Sequence, residues 1–215
     1  MKYPVTQKLW TLIMGENPSK DKGDDKPVTN IDGVLKFQEK FCHVAGIPFR
    51  CPTEEEWEFA ARGGNLSKGY IYSGSNNADE VAWYKENSKG KLHPVGQKKP
   101  NELGIYDMSG NVGEFTANYN FKYEDKDLCN PIYDAQEKYE EECKKADKLI
   151  LNIRRIYRGG NFDQSIKKGN FQTAHRGTFK EKPNKFCGYR GVVHINKWNG
   201  CATPPKKMVI EKKEE

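Results

Sequence analysis

Residues 101–115 read NELGIYDMSGNVGEF, and this stretch decides the fold. Apolar Leu103, Ile105, Tyr106 and Met108 lead into a turn at Ser109-Gly110-Asn111, and Glu114 follows at once. Asp107 and Glu114 are separated by a segment containing glycine and asparagine. Such a loop can bring carboxylates and backbone carbonyls onto one hard cation, the oxygen set that calcium takes. The same spacing suits a tight turn between two strands with a solvated Glu114. A motif this short does not separate the two readings.

Around it stands a chain of 215 residues, enough for one large domain or two small ones with a sizeable core. Gly, Tyr, Phe and Trp are plentiful beside modest aliphatic content. That mixture predicts an irregular, loop-rich fold packed on aromatics rather than a helix bundle. Basic residues number 36 against 30 acidic, a net charge of +6. The mixed signs support solubility and do not single out a nucleic-acid partner. The chain has no apolar run of about 18 residues, so no membrane span is expected. Met1-Lys2-Tyr3-Pro4 lacks the apolar core of a signal peptide. The compartment stays open: cell surface or secreted if a leader was removed, cytoplasmic otherwise. Six cysteines show no CxxC pair and no zinc spacing. Their even number permits disulfides, and buried reduced thiols fit equally well.

Local signals place several elements. A helix is expected after Thr6 as N-cap, and another over 34–45 from apolar Val34, Phe37, Phe41, Val44 and Ala45. Thr53 and Glu56 form a capping box that starts a third, with Trp57, Ala60 and Ala61 on its buried face. The Glu54-Glu55-Glu56 run is expected as a charged first turn. Residues 65–100 read as a long loop, in which Asn76, Asn77, Asp79 and Glu80 supply turn chemistry or a second cation site. Residues 134–147 read as a solvated charged helix. Strands are expected near 153–157, 171–179 and 189–195, with a mobile tail from Pro204.

Five separated stretches carry a resemblance: PVTQKLWTLIMGENPS, FRCPTEEEWEFAARGG, HPVGQKKPNELGIYDMSGNVGEF, YRGGNF and CGYRGVV. In order and spacing they resemble the formylglycine-generating enzyme (sulfatase-modifying factor) family across roughly residues 3–193. The resemblance implies an α+β, C-type-lectin-like fold with long loops, little regular secondary structure and bound structural calcium. On this reading one domain covers residues 1–200, with a charged helical insertion at 132–150 and a tail at 201–215. Asp107, Glu114 and the carbonyls of Gly110 and Val112 match one family calcium site. The family usually has a further segment before the PVT motif, so the chain resembles a shortened member or a fragment.

The family's oxidase chemistry needs two cysteine thiolates soon after the RGG-aromatic motif, to bind copper and attack a substrate cysteine. The matching positions fall near Gln164 and Gly169, and no cysteine lies between Cys143 and Cys187. No copper and no oxidase activity are therefore expected. Gly113 and Phe115 stand where the family often has tryptophan, and Cys51 replaces a usual leucine. A second group of relatives binds non-heme iron through a His-rich helical domain. Here His43, His93, His175 and His194 are scattered.

The same fold carries the variable proteins of diversity-generating retroelements, whose changeable residues lie between an RGG-aromatic motif and a GFRV-like motif. The matching segment here holds Phe162, Asp163, Gln164, Ser165, Lys167, Asn170, Phe171, Gln172, His175, Thr178, Phe179 and Lys180. Mixed aromatic and adaptable polar residues suit recognition of a protein or small ligand. The expectation is a non-catalytic binding domain displaying residues 161–187. An unusual oxidase or iron enzyme, and a structural module with an apolar patch for a fixed partner, are the alternatives.

Overall fold

The computed structural model describes residues 1–119, 154–180 and 184–193. The expected helical insertion and tail lie outside them, as do Cys129, Cys143, His194 and Cys201.

Helix α1 (Gln7–Met14) begins where Thr6 accepts a hydrogen bond from the Leu9 N–H. Helix α2 (Val34–Ala45) ends at Gly46 in the left-handed conformation. Helix α3 (Glu54–Ala61) carries the full Thr53/Glu56 capping box. The 65–100 region is more ordered than its composition suggests. It holds two short helices, α4 (Ala78–Val81) and α5 (Lys85–Ser88). Asn77 caps the first of them, while Asp79 accepts from the Tyr84 hydroxyl and the Asn87 amide. These residues serve as turn chemistry, the first of the two roles expected for them.

The main sheet has four strands in the order β4-β3-β2-β5. They are β2 (Gly113–Tyr119), β3 (Arg154–Arg158), β4 (Arg176–Lys180) and β5 (Cys187–Gly188). Strand β2 pairs antiparallel with β3 and parallel with β5. The central motif thus runs straight into the middle of the sheet, with α3 packed beside it. A smaller antiparallel pair joins β1 (Phe49–Arg50) to β6 (Val192–Val193). Aromatic packing holds the largest core cluster, where Trp10, Phe37, Phe49 and Tyr189 meet between α1, α2 and the small sheet.

Strand β4 begins five residues later than the strand expected near 171. Phe171 instead lies in a turn, fully buried against Tyr84 and the α4 alanines.

Candidate ligand-binding site

Two buried ion-pair groups fix the frame on which the site stands. In the first, Glu114 leaves the start of β2 and is wholly buried. Its Oε1 accepts from Arg190 Nη2 at 2.6 Å, and its Oε2 accepts from Arg190 Nε at 2.8 Å and Trp57 Nε1 at 2.7 Å. The guanidinium also donates to the carbonyls of Met1 and Tyr106. In the second, Arg158 at the end of β3 donates to Glu54 at 2.6 Å, to Glu58 and to the Thr173 carbonyl. Arg176 of β4 donates to the same Glu54. Glu54 stands in the charged first turn expected of it. It is buried because two arginines of the sheet point at it.

Both oxygens of Glu114 thus accept from Arg190 or Trp57, and a carboxylate engaged in this way does not fit a divalent ion. Asp107 is buried too, with Oδ2 accepting from the Gly96 N–H at 2.7 Å. Gly110 has φ of +76°, and a Cβ there would lie 2.4 Å from the Trp83 carbonyl oxygen. It serves a close backbone crossing, in which its own N–H donates to the Gly159 carbonyl. Val112 is buried against Leu92 and Phe162.

Burial raises the pKa of Asp107 above the ordinary carboxylate range, against the opposing Gly96 N–H and Arg190. The folded state therefore holds that proton more tightly than the unfolded chain. Its contribution is present in acid and is lost as pH rises through the folded value. Asp107→Asn is expected to leave stability at neutral pH unchanged or higher, and a calcium chelator to shift Tm by less than about 2 °C. Thermal melts of both proteins with and without chelator check this. A variant that melts lower and no longer responds to chelator would instead place calcium at Asp107.

Past Arg158 the chain turns through Gly159 and Gly160 and enters the expected recognition segment. Here the candidates separate. Phe162 is buried with Leu92, Val112 and Phe186, and Phe171 in the α4 cluster, so both are core residues. Their display was expected from the resemblance to the variable proteins. The RGG turn, aimed by Arg158 into the protein, buries them instead. Ser165 caps a 3-10 turn over Ile166–Lys168 and donates to Glu86. Asn170 is half-buried, its carbonyl oxygen close against Gly160. His175 is half-buried, and burial holds its pKa below the usual value, which keeps it neutral. Asp163, Lys167 and Gln172 are exposed. Phe179 and Lys180 lie on β4, in register with Arg155 and Arg154.

Asp163, Gln164 and Thr178 come together at an open cavity of about 250 Å³. Residues outside the recognition positions read from the sequence complete it: Tyr157 from β3, Asn161 from the RGG turn, Asn184 and Phe186 from the segment before β5, and Cys187 from β5. The signal for them lay in the two motifs themselves, since YRGGN and CGYRG flank the cavity. Gly177 makes room for it, as a Cβ there would lie 2.3 Å from the Tyr157 ring. Burial pushes the Cys187 thiol up to about 12, so it is protonated at neutral pH. Among the described residues, no group of three or more His, Cys, Asp and Glu side chains is placed to hold a metal ion. No described helix is long and apolar enough to cross a membrane.

The sulfatase-modifying factor enzyme 1-like domain matches residues 1–195. Chaperone protein LppX of Paenibacillus barcinonensis is 36% identical over 168 residues, covering 53% of this chain and 59% of its own length. Inactive C-alpha-formylglycine-generating enzyme 2 of Mus musculus is 33% identical over 126 residues, covering 53% of this chain and 39% of its own. The match thus spans well under two thirds of each of these relatives. Among solved structures, Treponema denticola variable protein 1 superposes with a TM-score of 0.71 at 24% identity, over 87% of this chain and 81% of that one. CarF superposes at 0.66 with 21% identity, over 91% and 85%. Identities this low speak for the fold alone, and the fold is the α+β, C-type-lectin-like one. Matched from residue 1 to residue 195, the chain belongs to the sulfatase-modifying factor, or formylglycine-generating enzyme, family.

Proposed function

We propose that this chain is a non-catalytic recognition domain that binds a protein or small ligand at the cavity and exposed face of residues 161–187. One observation carries the reading. Gln164, near the first position where the family's oxidases need a copper-binding thiolate, lines a polar cavity whose cysteine is a buried, protonated thiol. A thiol held in that form is neither a nucleophile nor a copper ligand. The name of the murine relative, an inactive formylglycine-generating enzyme, accords with this. So does a variable protein among the structural neighbours.

On this reading the segment divides into anchors and display positions, as a surface diversified by a retroelement requires. A library randomised at Asp163, Lys167 and Gln172 is expected to stay folded in most members, scored by protease resistance. Exposed substitutions without special contacts change stability by only about 0.5 kcal/mol either way. Collapse of most members would remove the recognition reading.

Phe59, Leu66 and Leu103 keep the structural-module reading open. All three are exposed, at 56%, 60% and 42%, and Phe59 and Leu103 flank Gly64 closely.

A further inference from the structure

We propose that the cavity beside Gln164 binds a carboxylate of single-residue size, either a free amino acid or the C-terminal residue of a peptide. This rests on the recognition reading and gives it a ligand chemistry.

The argument starts from three side-chain amides. Asn161 Oδ1 accepts from the Asp163 N–H at 3.0 Å, Gln164 Oε1 from the Asn161 N–H at 3.0 Å, and Asn184 Oδ1 from the Phe186 N–H at 2.9 Å. The backbone thereby commits the oxygen of each amide and fixes which way the group faces. The Asn184 amide is also bonded to the Cys187 thiol, so the donors left to offer are those of Gln164 and Asn161. Gln164 spends one on the Tyr157 hydroxyl at 3.3 Å and keeps a second. The Asn161 Nδ2 has no protein partner among the described residues. The Thr178 hydroxyl, on the facing strand, adds a donor that can rotate. The lining is therefore rich in neutral donors, which suits an acceptor-bearing ligand. A carboxylate is the strongest such acceptor, because charge-assisted bonds are roughly twice as strong as neutral ones.

Asp163, next to these amides, sets what accompanies the carboxylate. Its carboxylate is exposed at the rim and would repel a second acceptor, so it selects an ammonium or an amide N–H. A carboxylate with a nitrogen donor close by describes an α-amino acid or a peptide's last residue. The cavity, about 250 Å³, lies just below the roughly 300 Å³ at which drug-sized pockets begin. That limits the bound part to about one residue.

The test uses the whole chain and defined probes: alanine, N-acetyl-alanine, its methyl ester, and a tetrapeptide with a free or an amidated C-terminus. Binding is read from the side-chain amide resonances of Asn161 and Gln164. N-acetyl-alanine is expected to bind at least tenfold more tightly than its ester. Gln164→Glu is expected to weaken it at least tenfold with little change in Tm. The glutamate keeps an oxygen for the Asn161 N–H, loses the donor and adds a negative charge that repels a carboxylate; Thr178→Val removes a donor without adding charge. Thr178→Val repeats the test should that variant misfold. Tighter binding of alanine than of the peptide points to a free amino acid. Tighter binding of the free-ended peptide points to a chain terminus. Equal binding of acid and ester, an unaffected Gln164→Glu, or no response of the two amides to any acid would overturn the proposal. Such a result leaves the recognition reading standing if the randomised library folds.

Discussion

Arg190→Ala is expected to lower stability by about 3–5 kcal/mol, because it strands a buried carboxylate. For a chain of this size that corresponds to a fall in Tm of roughly 10 °C. Glu114 would keep only the Trp57 indole, whereas now Arg190 ties two points of the central motif to the start of the chain. The guanidinium joins Glu114 of the central motif to Met1 and Tyr106. Glu114→Gln in the same background should recover part of the loss, since it removes the charge left unpaired. Thermal melts of the two single variants and the double variant measure this coupling. Additive losses would show that the pair does not hold the motif.

The second large effect is at Phe171. Phe171→Ala is expected to cost about 3–5 kcal/mol, the usual range for deleting a fully buried aromatic. The neighbouring Gln172→Ala should stay within about 0.5 kcal/mol of the parent. Urea unfolding of both variants tests the contrast, which composition alone would not suggest. A mild Phe171→Ala would return that ring to the recognition surface.

Much of the fold was legible because local rules and tertiary packing agree. The Thr6 cap, the helix over 34–45 and the Thr53/Glu56 box each appear where the sequence places them. What escaped the sequence was set by partners distant along the chain. Glu54 looks like any acidic first-turn residue until Arg158 and Arg176 arrive from strands more than a hundred residues later. Glu114 reads locally as a solvated residue or a calcium ligand, and its burial against Arg190 shows only in the fold. Phe162 and Phe171 sit in a polar segment that suggests display, yet the RGG turn directs both rings inward. The cavity was half legible. Asp163, Gln164 and Thr178 lie in the expected segment, while Tyr157, Asn184 and Phe186 join them only through the pairing of β3 with β4 and of β5 with β2.

The most direct test of the non-catalytic reading is a thiol assay. The chain, supplied with Cu(I) and oxygen, is incubated with a cysteine-containing peptide, and the peptide is followed by mass spectrometry. The account predicts that no aldehyde forms at the peptide cysteine, because Gln164 stands near the first thiolate position and Cys187 stays protonated. Catalytic conversion of the cysteine to formylglycine would contradict it and make this chain an oxidase.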